Sequence, residues 1–279
     1  MNVADSRPDL LNTIVEATRR AVSDRCASRT VAAVERMAAA RSPRGEGFRA
    51  ALRDETRYNV IAECKYRSPA RGVLRKEYRP VGLAKAYAKA GAAAVSVLTE
   101  PAFFGGSLEH LKSIRAAVGV PLLRKDFVVT EYQLLEACAA GADAVLLIAS
   151  ILVDSELRNF LATADDLELA TLVEVHDRSE LDRALAAGAK VVGVNNRNLR
   201  SLAVNLEISH KLVGMIPEDV IAVSESGLRV PADLKELRQV GYQAFLIGES
   251  LMTQSDPGAA LGKLLAGTDL ISLGSHGSG

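Results

Sequence analysis

From about residue 58 to residue 247 the chain alternates eight times between a short β-branched run and a segment of helical periodicity, and no other feature restricts its fold so strongly. The strand candidates are residues 59–63, 93–98, 121–125, 144–148, 171–174, 191–194, 220–224 and 244–247. Between them lie alanine-rich, charge-studded stretches, and several end at glycine, as helices that feed strands do. Asp177 followed by Glu180 reads as a capping pair opening the fifth helix. Eight such units joined by right-handed crossovers close into an α/β fold, the (β/α)8 TIM barrel, for which about 250 residues is an ordinary length. An open doubly wound sheet is the competing architecture.

The first fifty-odd residues do not share the repeat. Leu10, Ile14, Thr18, Ala21 and Val22 recur at helical spacing, residues 31–40 read as a second helix, and residues 41–46 read as a mobile link before a short helix at 48–52. The expected organisation is an N-terminal helical extension packing on the barrel (1–52), the barrel itself (53–270) and a glycine- and serine-rich disordered tail (271–279).

Lysine plus arginine equals aspartate plus glutamate, 34 each, so no global field draws the molecule to nucleic acid or an anionic membrane, and a charged ligand must be caught locally. Cys26, Cys64 and Cys138 are odd in number with no C-x-x-C spacing, which suits reduced packing thiols. With no secretory leader and no long apolar run, a cytoplasmic location is expected. The four histidines share no metal-ligand spacing, and His176 is assigned to a loop.

Barrel enzymes carry their reacting groups at the C-terminal ends of the strands. There this sequence places Glu63 and Lys65, Lys125, Glu174, Asn195 and Glu225. Strand parity sends Glu63 and Lys65 to one face and Cys64 to the other; Lys125 goes with Leu123, and Glu174 with Leu172, at the inner mouth. A purely structural salt-bridge ring is the bland alternative, but it does not require both charge types on the catalytic face of several strands. The loops after strands seven and eight, with Ser226, Gly227, Gly248 and Glu249, are where such barrels hold phosphate; Glu249 is expected to turn its N–H inward and its carboxylate away.

The motifs IAECKYRSP (61–69), SVLTE (96–100), FGGS (104–107), LRKDF (123–127), LVEVH (172–176), GVNNR (193–197), SESG (224–227) and IGES (247–250) together closely resemble the indole-3-glycerol-phosphate synthase family. The resemblance implies ring closure of 1-(2-carboxyphenylamino)-1-deoxyribulose 5-phosphate, with loss of carbon dioxide and water, by a carboxy-lyase needing no metal or organic cofactor. It implies Lys125 as general acid, Lys65 paired with the substrate carboxylate or competing as proton donor, Glu63 balancing Lys65, and Glu174 as base for the dehydration, a role Glu63 could share, with Asn195 and Glu225 completing the rim. Ser68, Ser226, Gly227, Gly248 and Glu249 match the phosphate contacts, and Leu98, Phe104 and Phe127 the slot for the aromatic ring. The N-terminal helix is expected to lid the site. The implied partner is a phosphorylated small molecule, not nucleic acid or membrane; a monomer is the simplest assembly, and docking of a pathway partner is left open. Cys64, Tyr66 and Ala70 depart from the residues the family often carries. Two alternatives are a phosphoribosylanthranilate isomerase-like barrel, whose cysteine–aspartate chemistry Cys64 faces the wrong way to supply, and a non-catalytic partner subunit, which would be expected to lose the rim charges.

Overall fold

A computed structural model describes residues 9–268; the 271–279 tail lies outside the described residues. Eight parallel strands, β1 (Asn59–Cys64), β2 (Ala94–Leu98), β3 (Leu122–Lys125), β4 (Ala144–Ile148), β5 (Ala170–Val175), β6 (Val191–Asn195), β7 (Ile221–Glu225) and β8 (Ala244–Ile247), close into one barrel, with β1 pairing both β8 and β2. This is the TIM barrel, not the open sheet.

Side-chain alternation divides the interior in two. Ile61, Leu123, Leu146, Leu172, Ile221 and Leu246 fill the inside of the barrel, while Val60, Val97, Leu147, Val173 and Phe245 pack outward against the helices. Cys64 belongs to the outward set and is fully buried, as its parity demands. The helices on that outer layer include α4 (Pro80–Lys89), α5 (Leu108–Arg115), α6 (Glu131–Ala140), α7 (Asp154–Asp166) and α8 (Arg178–Ala186). Asp177 caps α8 by accepting the Glu180 N–H at 2.9 Å, although the Glu180 carboxylate does not reciprocate to the cap residue and bonds the N–H of His176 instead.

The N-terminal extension wraps the barrel rather than hanging from it. Phe48 and Leu52 of α3 (Gly45–Arg53) are fully buried among the inward residues, and α3 meets the beginnings of β1, β5 and β7, so it closes the end opposite the strands' C-terminal mouth. Asn59 ties this plug to the sheet by donating to the carbonyls of Leu52, Asp54 and Gln243. At the other end Leu11 and Ile14 of α1 (Leu10–Ser28) join the same inner cluster from above the mouth. The segment 41–46, expected to be mobile, is anchored: the Arg44 N–H donates to Asp143 at 3.0 Å and the Gly45 N–H to the Glu168 carbonyl at 3.1 Å. Gly45 lies so close to the backbone of residues 168–170 that any side chain would collide there. The composition of a flexible linker is here the composition of a close contact.

Candidate active site

The C-terminal mouth of the barrel opens into a cavity of about 430 Å3, within the size range of small-molecule sites. All the residues expected at the site line it: Glu63, Lys65, Lys125, Glu174, Asn195 and Glu225 at its floor, Ser68, Ser226, Gly227, Gly248 and Glu249 on one side, and Leu98, Phe104 and Phe127 on the other.

The floor is an ionic cluster. Lys125 Nζ lies 3.0 Å from Glu174 Oε2 and 3.7 Å from Glu225 Oε2, while Lys65 donates to Glu63 Oε1. Asn195 donates to the second oxygen of Glu174 at 3.0 Å. The Glu225 Oε1 atom is buried without a partner, and so is the Ser68 hydroxyl. Two glycines make room for two of these carboxylates: a Cβ at Gly193 would collide with Glu225 Oε1, and one at Gly248 with Glu63 Oε1.

Two of the carboxylates, Glu174 and Glu225, differ sharply. Burial alone would favour the neutral form of Glu174, but Lys125, His176 and Asn195 outweigh it and hold its pKa well below the carboxylate range. Burial likewise opposes the charge on Lys125, and the carboxylates of Glu174, Glu225 and Glu63 reverse that, raising its pKa above that of an ordinary lysine. For Glu225 burial prevails: Lys125 only partly offsets it, Glu174 and Glu63 add repulsion, and the pKa is pushed up to about 8. The mouth therefore favours an ammonium at Lys125 and a carboxylate at Glu174, while burial favours the neutral form of Glu225. A buried acid and base held side by side in opposite charge states suit proton transfer to and from one substrate.

On the side of the cavity formed by the loops after β7 and β8, Ser226 (φ 66°) and Gly227 (φ 86°) turn the chain through two successive left-handed residues. Asn196 pins that turn from behind, donating to Ser224 Oγ and to the carbonyls of Glu225 and Ser226. The Glu249 carboxylate faces two arginines, Arg197 at 3.0 Å and Arg71 at 3.5 Å, both of which line the cavity. These arginines were not among the expected phosphate residues. A strand-end position was visible for Arg197, but its approach to Glu249 joins the ends of β6 and β8, which nothing local reveals. On the apolar side the rings of Phe104 and Phe127 stand 6.0 Å apart, and Leu10, Leu11 and Ile14 of α1 roof the cavity.

His176 lies in the loop between β5 and α8, as expected, and its imidazole there stands 3.4 Å from Glu174 and 3.0 Å from Glu180, contacts that the sequence did not reveal. Among the described residues, no group of three or more His, Cys, Asp or Glu could hold a metal ion. None of the described helices is long and apolar enough to cross a membrane.

Comparison with known proteins agrees with this geometry. A family model described as indole-3-glycerol phosphate synthase matches residues 11–264. The indole-3-glycerol phosphate synthase of Azospirillum brasilense is 46% identical over 261 residues, covering 92% of this chain and 99% of that protein. That of Sulfurimonas denitrificans is 46% identical over 229 residues, 82% of this chain and 87% of the relative. Among solved structures, thiamine phosphate pyrophosphorylase from Pyrococcus furiosus superposes with a TM-score of 0.58 at 19% identity, over 78% of this chain and 97% of that one, a likeness of fold alone.

Proposed function

The chain belongs to the indole-3-glycerol phosphate synthase family, and on that premise we propose how its own residues close 1-(2-carboxyphenylamino)-1-deoxyribulose 5-phosphate to indole-3-glycerol phosphate, as a carboxy-lyase of tryptophan biosynthesis. One observation carries the assignment of roles: Lys125 Nζ stands 3.0 Å from Glu174 on the cavity floor, with Asn195 holding the other Glu174 oxygen.

The substrate phosphate sits against Ser226, Gly227, Gly248 and the Glu249 N–H, with Ser68 as a further donor. Arg197 and Arg71 supply positive charge there, and their pairing with the Glu249 carboxylate is what makes that carboxylate tolerable beside a dianion. The aromatic ring enters between Leu98, Phe104 and Phe127 under the α1 roof. Lys65 meets the ring carboxylate, balanced by Glu63.

A neutral arene attacks only a strongly polarised ketone. Lys125 donates its proton to the ketone oxygen as the ring carbon bearing the carboxylate forms the new C–C bond; help of this kind is typically worth about 10²–10⁴-fold. Carbon dioxide then leaves, and the bonding electrons restore the aromatic ring. Loss of the new hydroxyl as water follows, with Glu174 taking the proton from the adjacent carbon and Lys65 standing as the second available acid. The protonated Glu225, with its free Oε1, offers a hydrogen bond to a substrate hydroxyl.

The test is direct: the purified protein is incubated with the carboxyphenylamino-deoxyribulose phosphate and the rise of indole fluorescence followed. Turnover with release of one carbon dioxide per indole is the expected result; substrate recovered unchanged would overturn the reading.

A further inference from the structure

Immediately after β5, in the loop that leads to α8, lies His176, whose side chain is 14% exposed. Its Nε2 lies 3.4 Å from Glu174 Oε1, an ion-pair approach in which the buried Nε2 makes no hydrogen bond, and its Nδ1 lies 3.0 Å from Glu180 Oε2. The same Glu180 oxygen accepts the main-chain N–H of His176 at 2.8 Å, so the ring is held at the start of α8 by two bonds to one carboxylate. A neutral imidazole has a single N–H and would turn a lone pair toward one of its two carboxylates; only the doubly protonated ring suits both. The charged groups around it are Glu174 on β5, Glu180 on α8, and beyond Glu174 the Lys125 of β3 and Glu225 of β7. Burial works against charge on the ring, but Glu174 and Glu180 together outweigh it and raise its pKa to about 10.

We propose that His176 is a positioning residue for the ring closure: a charged imidazolium, anchored by Glu180, that with Asn195 fixes the Oε1 atom of Glu174 and keeps Glu174 ionised while Lys125 is without its proton. The inference rests on the reading of Lys125 and Glu174 as acid and base. Once Lys125 has protonated the ketone oxygen, its amine no longer offsets the charge of Glu174 3.0 Å away. Burial would then favour proton capture by Glu174 before the dehydration step needs it as a base. The imidazolium on the opposite oxygen prevents this, and it leaves Oε2 as the oxygen turned toward Lys125.

The experiment compares wild type with His176→Asn and Glu180→Gln. Removing a cation beside Glu174 raises the pH at which Glu174 gains a proton, so the acid limb of the kcat profile should move up by about one pH unit in His176→Asn. At neutral pH kcat should fall by about tenfold to a hundredfold, the scale seen when an outer partner that orients an active-site ligand is lost, with KM changed by no more than about twofold. Glu180→Gln should move the limb in the same direction by less. In unliganded wild type, imidazole NMR signals should show His176 protonated beyond about pH 8, and Glu180→Gln should lower its titration midpoint. An unchanged acid limb, a kcat loss equal at every pH, or a wild-type His176 titrating near the ordinary value of about 6.5 would each overturn the proposal. Inactive wild type would instead sink the functional reading, while the NMR titration still decides the charge of His176.

Discussion

Arg124 and Lys125 are neighbours on β3, yet they serve two buried ionic clusters of opposite character. Arg124 faces the helices at 1% exposure, and its guanidinium is fully engaged: Thr99 and Asp126 take Nε, the Gln133 carbonyl takes Nη1 at 2.6 Å, and Asp126 and Glu136 take Nη2. Arg25 of α1 closes the far side of Glu136 with bonds of 2.7 and 3.0 Å. Lys125 faces the cavity, and its cluster keeps a buried oxygen without a partner at Glu225 Oε1. The contrast teaches that buried charge alone does not mark a functional site. Both clusters border a cavity, the Arg124 one a smaller cavity of about 320 Å3, but the Arg124 network satisfies its own buried groups and holds α1, α6 and β3 together, whereas the Lys125 cluster leaves a buried oxygen free for a ligand.

Lys125→Met probes this contrast with the largest expected effect. Turnover should fall about 10²–10⁴-fold with KM little changed, because the acid acts in the transition state; steady-state fluorescence kinetics measure it, and an unchanged kcat would remove Lys125 from the mechanism. Arg124→Met should show the reverse pattern. Breaking a buried ionic network from one side typically costs about 3–5 kcal/mol, read as a lower urea midpoint, while the folded protein keeps most of its turnover. A stable but inactive Arg124→Met protein would erase the distinction between the two clusters.

Glu225→Gln has the smallest effect and refines the contrast within the mouth. The carboxyl rises from an ordinary 4.5 to about 8 on folding, so the folded state disfavours its ionisation. That preference is without cost below about pH 4.5 and destabilises the protein progressively as pH rises toward 8. The amide does not titrate, so the variant should gain stability relative to wild type across that interval, with turnover near pH 6 within about tenfold of normal. Urea midpoints that run parallel from about pH 5 to pH 8 would mean that Glu225 is charged throughout.

Much of the site was legible because strand parity is a strict rule. Glu63 inward and Cys64 outward, Lys125 inward with Leu123, and Glu174 inward with Leu172 all follow from a period of two and agree with the packing. His176 lies in the loop past the strand end, where it was expected, but strand parity stops at Val175 and could not show that the Glu180 carboxylate, read as half of a capping pair, bonds the imidazole. The 41–46 segment misled for a related reason: glycine and proline signal both flexible chain and close approach, and only the neighbour, here the backbone around Glu168, distinguishes them.

Taken alone, the chain dictated the barrel, the inward and outward faces and the residue types at the mouth, since these depend on periodicities of two and 3.6 residues that local sequence carries. Only the closed structure decided the opposite proton affinities of Glu174 and Glu225, the pairing of Arg197 and Arg71 with Glu249, and the placing of α3 beneath the barrel, while α1 over the mouth agrees with the lid expected of the N-terminal helix. Those properties arise from distances between strands and loops far apart in the chain, and from how much water their packing excludes; neither is written in any one segment.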